Sequence, residues 1–312
     1  MDDTSNFQLK FYSPLRLSLA GGGTDLPEVY FNSGAHLLSV TINKQISIKI
    51  GKKVKHQSSL LTDLFRSKHP KLGVSIKSEV SPGAGLGGSG ALAVNLAAAD
   101  FYLRKKNLPS ALKTALTAYH WERELLKQPV GFQDQVSAAF GGCVEMKAET
   151  NGKITVKSRD DLIDGLSYLF LNNFIFVETG IRRNASKLLN KLSKTYSKPN
   201  CNTKDNQPAT VTDMERVIRS KDGKLFGSIL QAHWKSKCSR LPGATTPEID
   251  SIINIAFKAG ATGAKAIGAG GGGFILISSP SEHKKNIVET LQQQDINTTD
   301  FLVSTDGVKR KE

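Results

Sequence analysis

The chain has 312 residues, of which 39% are hydrophobic, so it can bury a large core and is long enough to form two lobes. Its 42 basic and 28 acidic residues give a net charge of +14, but they follow no helix-turn-helix, zinc-finger or RNP pattern, which argues against a dedicated nucleic-acid function. The acidic start and the absence of an apolar run of about 18 residues argue against a signal peptide and a membrane span, and indicate a cytoplasmic protein.

The first predicted element is a strand that ends in a triple glycine. Residues 11–20 alternate as a β-strand does, and the string GGGTD follows at residues 21–25. Backbone N–H groups at such glycines can approach a ligand closely, and the carboxylate of Asp25 can accept hydrogen bonds from hydroxyl groups. The pattern predicts one wall of a binding site.

The next informative stretch, Ser81–Arg104, is a glycine-rich loop followed by an Ala- and Leu-rich run. This pattern predicts a phosphate-binding loop that opens a helix, because the free N–H groups and the dipole of a helix N-terminus favour anions. Gly88 rather than Lys precedes Ser89, so the loop is not a Walker loop. A dinucleotide site would need an acidic residue about 20 positions further on, and none is suitably placed. A flexible turn before a buried helix is the alternative.

The distribution of apolar residues and glycines predicts further elements after the phosphate-binding loop. We predict a helix over Ala111–Lys127, a β-type run over Leu166–Val177, and a dense glycine turn over Gly263–Gly273 that leads into a buried strand. Arg182 and Arg183 follow the β-type run in an anion-friendly arrangement, although a pair of surface arginines is the alternative.

Three motifs in this order resemble those of the GHMP kinases, the superfamily of galactokinase, homoserine kinase, mevalonate kinase and phosphomevalonate kinase. Residues 13–25 resemble the first motif, PGAGLGGSGA at 82–91 the second, and KAIGAGGGG at 265–273 the third. The resemblance implies an α+β, two-lobed fold, with an N-terminal lobe like domain 2 of ribosomal protein S5 and a ferredoxin-like C-terminal lobe. ATP and an acceptor would bind in the cleft between the lobes, which we assign to residues 1–165 and 166–312.

The resemblance also implies roles for individual residues. Asp134, in the turn GFQDQ, would act as the base on the acceptor hydroxyl, and Arg16 would stabilise the transferring phosphoryl group. Ser89 and Glu122 would hold Mg²⁺, Glu122 lying twelve positions before Asp134. The ATP phosphates would contact the second motif at Pro82, Gly83, Ala84, Gly85, Leu86, Gly87, Gly88, Ser89 and Gly90. The acceptor would contact Gly22, Gly23, Thr24, Asp25, Gly131, Arg182 and Arg183. Carboxylates, a hydroxyl and a cation are the groups that phosphoryl transfer requires.

Within the superfamily, the strings PLRLSLAGGGTDLPEVY, GFQDQVSAAFGG and TGIRRNASKLL are most similar to the D-glycero-D-manno-heptose 7-phosphate kinases. This resemblance implies transfer of the γ-phosphate of ATP to the anomeric hydroxyl of the sugar, giving a 1,7-bisphosphate. Arg182 and Arg183 would then hold the sugar's own phosphate. An L-fucokinase-like or other sugar 1-kinase and a catalytically silent sugar-sensing protein are the alternatives. We expect a monomer or homodimer whose partner is a phosphorylated sugar, not nucleic acid or a membrane.

Overall fold

The computed structural model describes residues 8–181, 188, 190 and 210–311, which form two antiparallel sheets and the helices that cover them. The strands are β1 (Gln8–Ala20), β2 (Ala35–Gly51), β3 (Gly73–Ser78), β4 (Cys143–Ala148), β5 (Ile154–Ser158), β6 (Phe174–Glu178), β7 (Gly263–Ala266), β8 (Phe274–Ser278), β9 (Thr298–Thr299) and β10 (Lys309–Lys311). The described helices are α1 (Pro27–Ser33), α2 (Leu60–Lys68), α3 (Gly88–Lys105), α4 (Ala111–His120), α5 (Gln133–Phe140), α6 (Ile163–Asn172), α7 (Val211–Ser220), α8 (Gly223–Arg240), α9 (Pro247–Lys258) and α10 (Ser281–Gln292).

The first sheet has the strand order β10-β1-β2-β4-β5, and β3 pairs with β2 as well. Its two long strands β1 and β2 carry alternating apolar residues, and Leu15, Leu17 and Leu19 of β1 are buried. Strand β10 comes from the end of the described chain and pairs with the start of β1, where Arg310 lies opposite Phe11.

The second sheet has the order β7-β8-β6-β9. The α+β class that the resemblance implies is therefore confirmed. The boundary that we assigned between residues 165 and 166 falls inside α6, and β10 joins the first sheet. The limits of the two lobes stay a prediction.

The run Leu166–Val177 is not a single strand, and that prediction is wrong. Residues 163–172 form α6, and only Phe174–Glu178 form a strand. Leu166, Leu169 and Phe170 are buried at helical spacing, so the run has apolar residues that suit both structures. Asn173, between the two elements, is the residue at which the helix ends.

Helix α3 packs its small side chains into the main core beneath the first sheet. Ala91, Ala93, Ala97 and Ala98 are fully buried, and such small residues let the helix axis come close to the strands. This helix confirms the predicted Ala- and Leu-rich helix after the glycine loop. Because α3 is held by the core along its length, its N-terminus is a fixed platform for the loop before it.

Candidate active site

The three glycine-rich turns singled out in the sequence meet at one cavity of about 880 Å³. The cavity is lined by β1 and the turn after it, by the loop before α3, by the turn before α5, by α8 and by the turn after β7. The lining residues that the sequence predicted are Arg16, Gly22, Gly23, Asp25, Pro82, Gly83, Ala84, Gly85, Leu86, Gly87, Gly88, Ser89, Gly131 and Asp134. The structure thus brings together residues that are far apart in the chain.

The loop before α3 turns through alternate glycines. Gly83, Gly85 and Gly87 have φ values of 83°, 85° and 79°, a region that glycine adopts without steric cost. Gly87 is the N-cap of α3, and no side chain caps the helix. The N–H groups of the first turn and the positive end of the helix dipole are therefore directed toward the cavity wall, where an anion would be stabilised.

The third glycine turn packs directly against this loop. The backbone N–H of Phe274 donates to the carbonyl of Ala84 at 3.1 Å. A Cβ atom at Gly273 would lie 2.3 Å from the same carbonyl oxygen, so only glycine allows this approach. The third turn therefore supports the phosphate-binding loop from the C-terminal side.

Arg16 and Asp134 form an ion pair in the wall of the cavity. The Nε and Nη2 atoms of Arg16 donate to Oδ1 of Asp134 at 2.8 and 2.5 Å, and Nη1 donates to the carbonyl of Gly85 at 2.8 Å. Arg16 is buried, whereas 33% of the Asp134 side chain is exposed to the cavity side. Asp134 belongs to the first turn of α5, where the helix dipole favours a carboxylate. One guanidinium thus joins the predicted base to the phosphate-binding loop.

Close packing of α3 on α5 explains Gly90, one of the two glycines that flank Ser89. A Cβ atom at Gly90 would lie 2.6 Å from Cβ of Asp134, and one at Gly87 would lie 3.2 Å from Cγ of Arg16. Gly90 does not line the cavity, so its contribution to the site is to bring the helix close to Asp134. A side chain at Gly90 would therefore push α3 away from Asp134.

Glu122 lies beneath Ser89 because the helix before it changes its winding. Instead of the continuous helix predicted over Ala111–Lys127, α4 ends at His120 and a π-helical turn covers Trp121–Leu125. Such turns often occur at functional sites. Glu122 is buried and accepts hydrogen bonds from Ser89 Oγ at 2.5 Å and from Gln135 Nε2 at 2.6 Å. Burial outweighs these two hydrogen bonds and raises the pKa of Glu122 to about 7.

The donors at Ser89 and Glu122 suit a magnesium ion. Within residues 8–181 and 210–311, no three His, Cys, Asp or Glu side chains converge as a metal site. Mg²⁺ commonly takes one or two protein oxygens and completes its shell with phosphate and water oxygens. A hydroxyl and a carboxylate in contact beside a phosphate-binding loop match that donor set.

Asp25 is held against the turn before α5. Its Oδ2 accepts from the backbone N–H of Gln133 at 3.0 Å, and a Cβ atom at Gly131 would lie 2.0 Å from Oδ2. Burial raises the pKa of Asp25 to about 6, and the nearby negative charge of Asp134 adds to the rise. Thr24 is buried outside the cavity lining, and its hydroxyl donates to the carbonyl of Gly21 at 2.8 Å to close the turn.

The sequence reasoning missed several groups that line the cavity. Gln133 contacts the site through Nε2, which donates to Ser18 Oγ at 2.9 Å. Lys265 was placed in the third motif but received no role. Three further missed residues are basic and lie on α8: His233, Lys237 and Arg240. Their spacing along one helix is the signal that could have revealed them.

Arg182 and Arg183, which we predicted to hold the acceptor's phosphate, lie outside the described residues. The described part of this segment ends at Ile181, whose carbonyl accepts from the backbone N–H of Gly273 at 3.3 Å. The role of the two arginines stays a prediction.

Comparison with known proteins identifies the class to which this fold and site belong. The GHMP kinases N-terminal domain matches residues 52–142, and the GHMP kinases C-terminal domain matches residues 214–297. The chain belongs to the GHMP kinases, and it is an ATP-dependent phosphotransferase with an alcohol acceptor, a sugar kinase.

Individual GHMP kinases and related structures resemble this chain over most of its length. The chain is 26% identical to D-glycero-alpha-D-manno-heptose 7-phosphate kinase from Campylobacter jejuni, an alignment that covers 96% of this chain and 98% of the relative. It is 25% identical to mevalonate kinase from Methanocaldococcus jannaschii, over 73% of this chain and 68% of the relative. The crystal structure of a D-glycero-D-manno-heptose 1-phosphate kinase from Bacteroides thetaiotaomicron has the same fold, with a TM-score of 0.70, 20% identity, and coverage of 97% of this chain and 99% of that one. In the described part of the chain, no helix has both the length and the apolar character to span a bilayer.

Proposed function

We propose that this kinase transfers the γ-phosphate of ATP to the anomeric hydroxyl of D-glycero-D-manno-heptose 7-phosphate, giving the 1,7-bisphosphate and ADP. The observation that carries the proposal is the Arg16–Asp134 pair, which joins a carboxylate base to the phosphate-binding loop inside one cavity. The Campylobacter jejuni relative, named for heptose 7-phosphate, supports this acceptor.

Asp134 takes the proton of the acceptor hydroxyl in the proposed reaction. Its carboxylate lines the cavity, and the hydrogen bonds from Nε and Nη2 of Arg16 both go to the same oxygen, Oδ1. Arg16 also contacts the loop at Gly85, so its positive charge lies between the base and the phosphates, where negative charge develops during transfer. Asp134 would thus act on the attacking hydroxyl, and Arg16 on the phosphoryl group that it attacks.

Asp25 orients the acceptor in this proposal. Its carboxyl group lines the cavity beside Gly131, and Gln133 fixes it through a backbone N–H. A carboxylate that accepts from two sugar hydroxyls would hold the ring with its anomeric oxygen toward Asp134. Gly22 and Gly23 give the same wall a backbone without side chains, which leaves room for a sugar ring.

The nucleotide base would lie against the apolar end of the cavity. Ile46, Ile76, Val80 and Leu92 line that end, next to the loop at Pro82. Apolar side chains suit the faces of an aromatic base, whereas polar groups are few in such pockets. The phosphates would follow the loop toward the N-terminus of α3.

Ser89 and Glu122 would hold Mg²⁺ when the nucleotide is bound. The ion supplies positive charge that neutralises the phosphate oxygens during transfer. Glu122 would have to be ionised to hold the cation, and burial, which raises its pKa to about 7, favours its protonated form when no cation is bound.

A substrate screen that measures ADP release tests the proposal. The acceptors are the heptose 7-phosphate, L-fucose, D-galactose and mevalonate, each with ATP and Mg²⁺. We expect the highest kcat/KM with the heptose 7-phosphate and a product whose anomeric carbon couples to phosphorus in NMR spectra. The methyl glycoside of the same sugar phosphate is the matched control, because it lacks the anomeric hydroxyl and should not be turned over.

Two results would overturn the proposal. A higher kcat/KM with fucose or mevalonate would assign another acceptor within the same class of kinase. Binding of sugars without any ADP release would indicate a sensor rather than an enzyme.

A further inference from the structure

We propose that the α8 basic face, defined here as His233, Lys237 and Arg240, binds a phosphate group that the acceptor already carries. The inference rests on the proposed function, because it names the part of the site that recognises the acceptor of that reaction. It assigns a role to a cluster of basic side chains that phosphoryl transfer itself does not use.

The three residues share one side of the helix. They stand at positions i, i+4 and i+7 of α8, which places them on adjacent turns of the same face. All three line the cavity and are half-buried. Lys235, on the same helix, is exposed and does not line the cavity. One face of α8 thus brings basic side chains to the cleft.

Tight packing holds this face in place. A Cβ atom at Gly227 of α8 would lie 2.1 Å from Oγ1 of Thr262, so the helix lies directly on the second sheet. Lys237 Nζ donates to the carbonyl of Gly268 in the third glycine turn, and Arg240 Nε donates to the carbonyl of Ser236 at 3.1 Å. Side chains fixed before binding lose less entropy when a ligand arrives.

Lys265 extends the positive charge toward the reaction centre. It lines the cavity at the end of β7. Burial lowers the pKa of Lys265 to about 8, and the charges of Arg16 and then Arg240 contribute to the same shift. Lys265 therefore lies within electrostatic range of both arginines, and cations extend from the Arg16–Asp134 pair to the α8 basic face.

The charge balance of the cavity favours an anionic acceptor. Among the described residues that line it, the carboxylates are Asp25 and Asp134, and Asp134 is already paired with Arg16. Lys237, Arg240 and Lys265 add positive charge in a concave site, which raises the local concentration of anions. The loop at 82–90 and the N-terminus of α3 provide donors for the nucleotide phosphates. A second anion-binding region in the same cavity suits a second phosphorylated ligand.

The test compares each acceptor with and without its phosphate. Initial rates are measured for the sugar phosphate and for the same unphosphorylated sugar, in the wild type and in the variants Arg240→Gln and Lys237→Met. Lys235→Gln is the matched control, because it removes a positive charge from the same helix outside the cavity. We expect Arg240→Gln to raise KM for the phosphorylated acceptor roughly ten- to hundredfold, as for the loss of a charge-assisted hydrogen bond. KM for ATP and for the unphosphorylated sugar should stay unchanged.

Inorganic phosphate provides a second measurement that needs no variant. We expect it to inhibit the wild type competitively against the sugar phosphate and not against ATP, with weaker inhibition in Arg240→Gln. Equal effects of Arg240→Gln on both acceptors, a wild type that prefers the unphosphorylated sugar, or competition with ATP alone would each overturn the inference while leaving a sugar kinase. Absence of ADP release with every sugar would overturn the proposed function and the inference with it.

Discussion

Arg16 and Arg159 are both buried arginines that contact carboxylates, with side chains only 7% and 6% exposed, yet their surroundings differ. Arg159 forms ion pairs with Glu145 of β4, Asp161, and Glu215 of α7. We call these four residues the Arg159 network. Arg16 lies in the cavity beside Asp134, with Asp25 and Glu122 nearby. The comparison separates charges that hold the fold together from charges that act on a ligand.

In the Arg159 network, cations meet the carboxylates directly. Hydrogen bonds from Arg159, and then from Arg219, outweigh burial and lower the pKa of Asp161 to about 2. Burial works to raise the pKa of Glu145, but hydrogen bonds from His36 and Lys147 outweigh it and bring the pKa to about 2. These carboxylates are ionised over the whole physiological range and stabilise the fold.

At the candidate active site, neutral groups hold two of the three carboxyls, those of Asp25 and Glu122, whereas Asp134 is paired with Arg16. Glu122 accepts from Ser89 and Gln135, and Asp25 accepts from the backbone of Gln133. Burial therefore dominates, and both pKa values rise. Asp25 and Glu122 can therefore accept a hydroxyl group or a cation from a ligand, whereas Glu145 and Asp161 already have cationic partners within the protein.

We expect the largest change in catalysis from a substitution of Asp134, the carboxylate paired with Arg16 in the cavity. Asp134→Asn keeps the size of the side chain but removes the base, so kcat should fall by roughly two to four orders of magnitude. The dissociation constant of ATP should change little, because the variant leaves the loop intact. Single-turnover kinetics and nucleotide binding by calorimetry measure the two quantities.

Asp295→Asn is the matched control, since Asp295 is exposed with φ of 58°, a conformation that Asn accepts. Its kcat should equal that of the wild type. Nearly normal turnover in Asp134→Asn would remove Asp134 as the base.

On the other side of the comparison, Arg159→Met should affect stability and spare catalysis. The change leaves Glu145 and Glu215 without their buried cation, and the free energy of unfolding should fall by about 3 kcal/mol. Urea unfolding measures this loss, and kcat/KM of the folded variant should stay within twofold or so of the wild type. Arg219→Gln, in which a 52% exposed arginine is changed, should cost no more than about 1 kcal/mol. A larger loss of activity than of stability in Arg159→Met would contradict the distinction.

The pH dependence of the free energy of unfolding tests whether the ionised Asp25 destabilises the fold. The folded state binds the Asp25 proton more tightly than the unfolded chain does. The contribution of this proton to the free energy of unfolding is therefore fully present below pH 3.8 and is lost as the pH rises through about 6. A rise from 3.8 to about 6 corresponds to about 3 kcal/mol at most. Asp25→Asn should therefore be more stable than the wild type above pH 6 and equal to it near pH 4, while its KM for the acceptor rises.

Unfolding curves of both proteins between pH 4 and 8 isolate this effect, because other groups titrate equally in the two. Asp295→Asn serves again as the control and should follow the wild type at every pH. A wild type as stable as Asp25→Asn at pH 8 would show that the carboxylate carries no penalty.

We expect the smallest change from substitutions of Ser89 and Glu122, which should alter the Mg²⁺ requirement. Ser89→Ala and Glu122→Gln should raise the Mg²⁺ concentration for half-maximal ADP release by roughly tenfold or more. Glu124→Gln is the matched control, because Glu124 is two residues away, 55% exposed and 3.7 Å from Lys127. An unchanged Mg²⁺ requirement in both Ser89→Ala and Glu122→Gln would mean that the ion binds elsewhere.

The sequence predicted the parts of the site that depend on local backbone. The loop before α3 and the third turn could be found because glycines with positive φ leave a pattern in the chain, as at Gly85 and Gly273. The prediction that the three motifs meet in one cleft came from the family resemblance and not from the periodicity of the sequence.

The rest depends on packing between distant elements. The π-helical turn that buries Glu122 and the division of Leu166–Val177 into α6 and β6 have no local marker, because the same apolar residues suit either structure. The basic face of α8 was overlooked because Lys237 and Arg240 are ordinary surface residues until the second sheet positions their helix.

Strand β10 has a consequence for how the protein is made. It covers one side of β1 near Phe11, although almost the entire described chain separates the two strands. Until the ribosome has delivered residues 309–311, the start of β1 keeps a row of unpaired backbone groups exposed, the kind of edge to which other nascent chains can add. The first strand of this sheet therefore emerges early, but the edge of β1 that β10 covers stays open to pairing with other chains until residues 309–311 have been made.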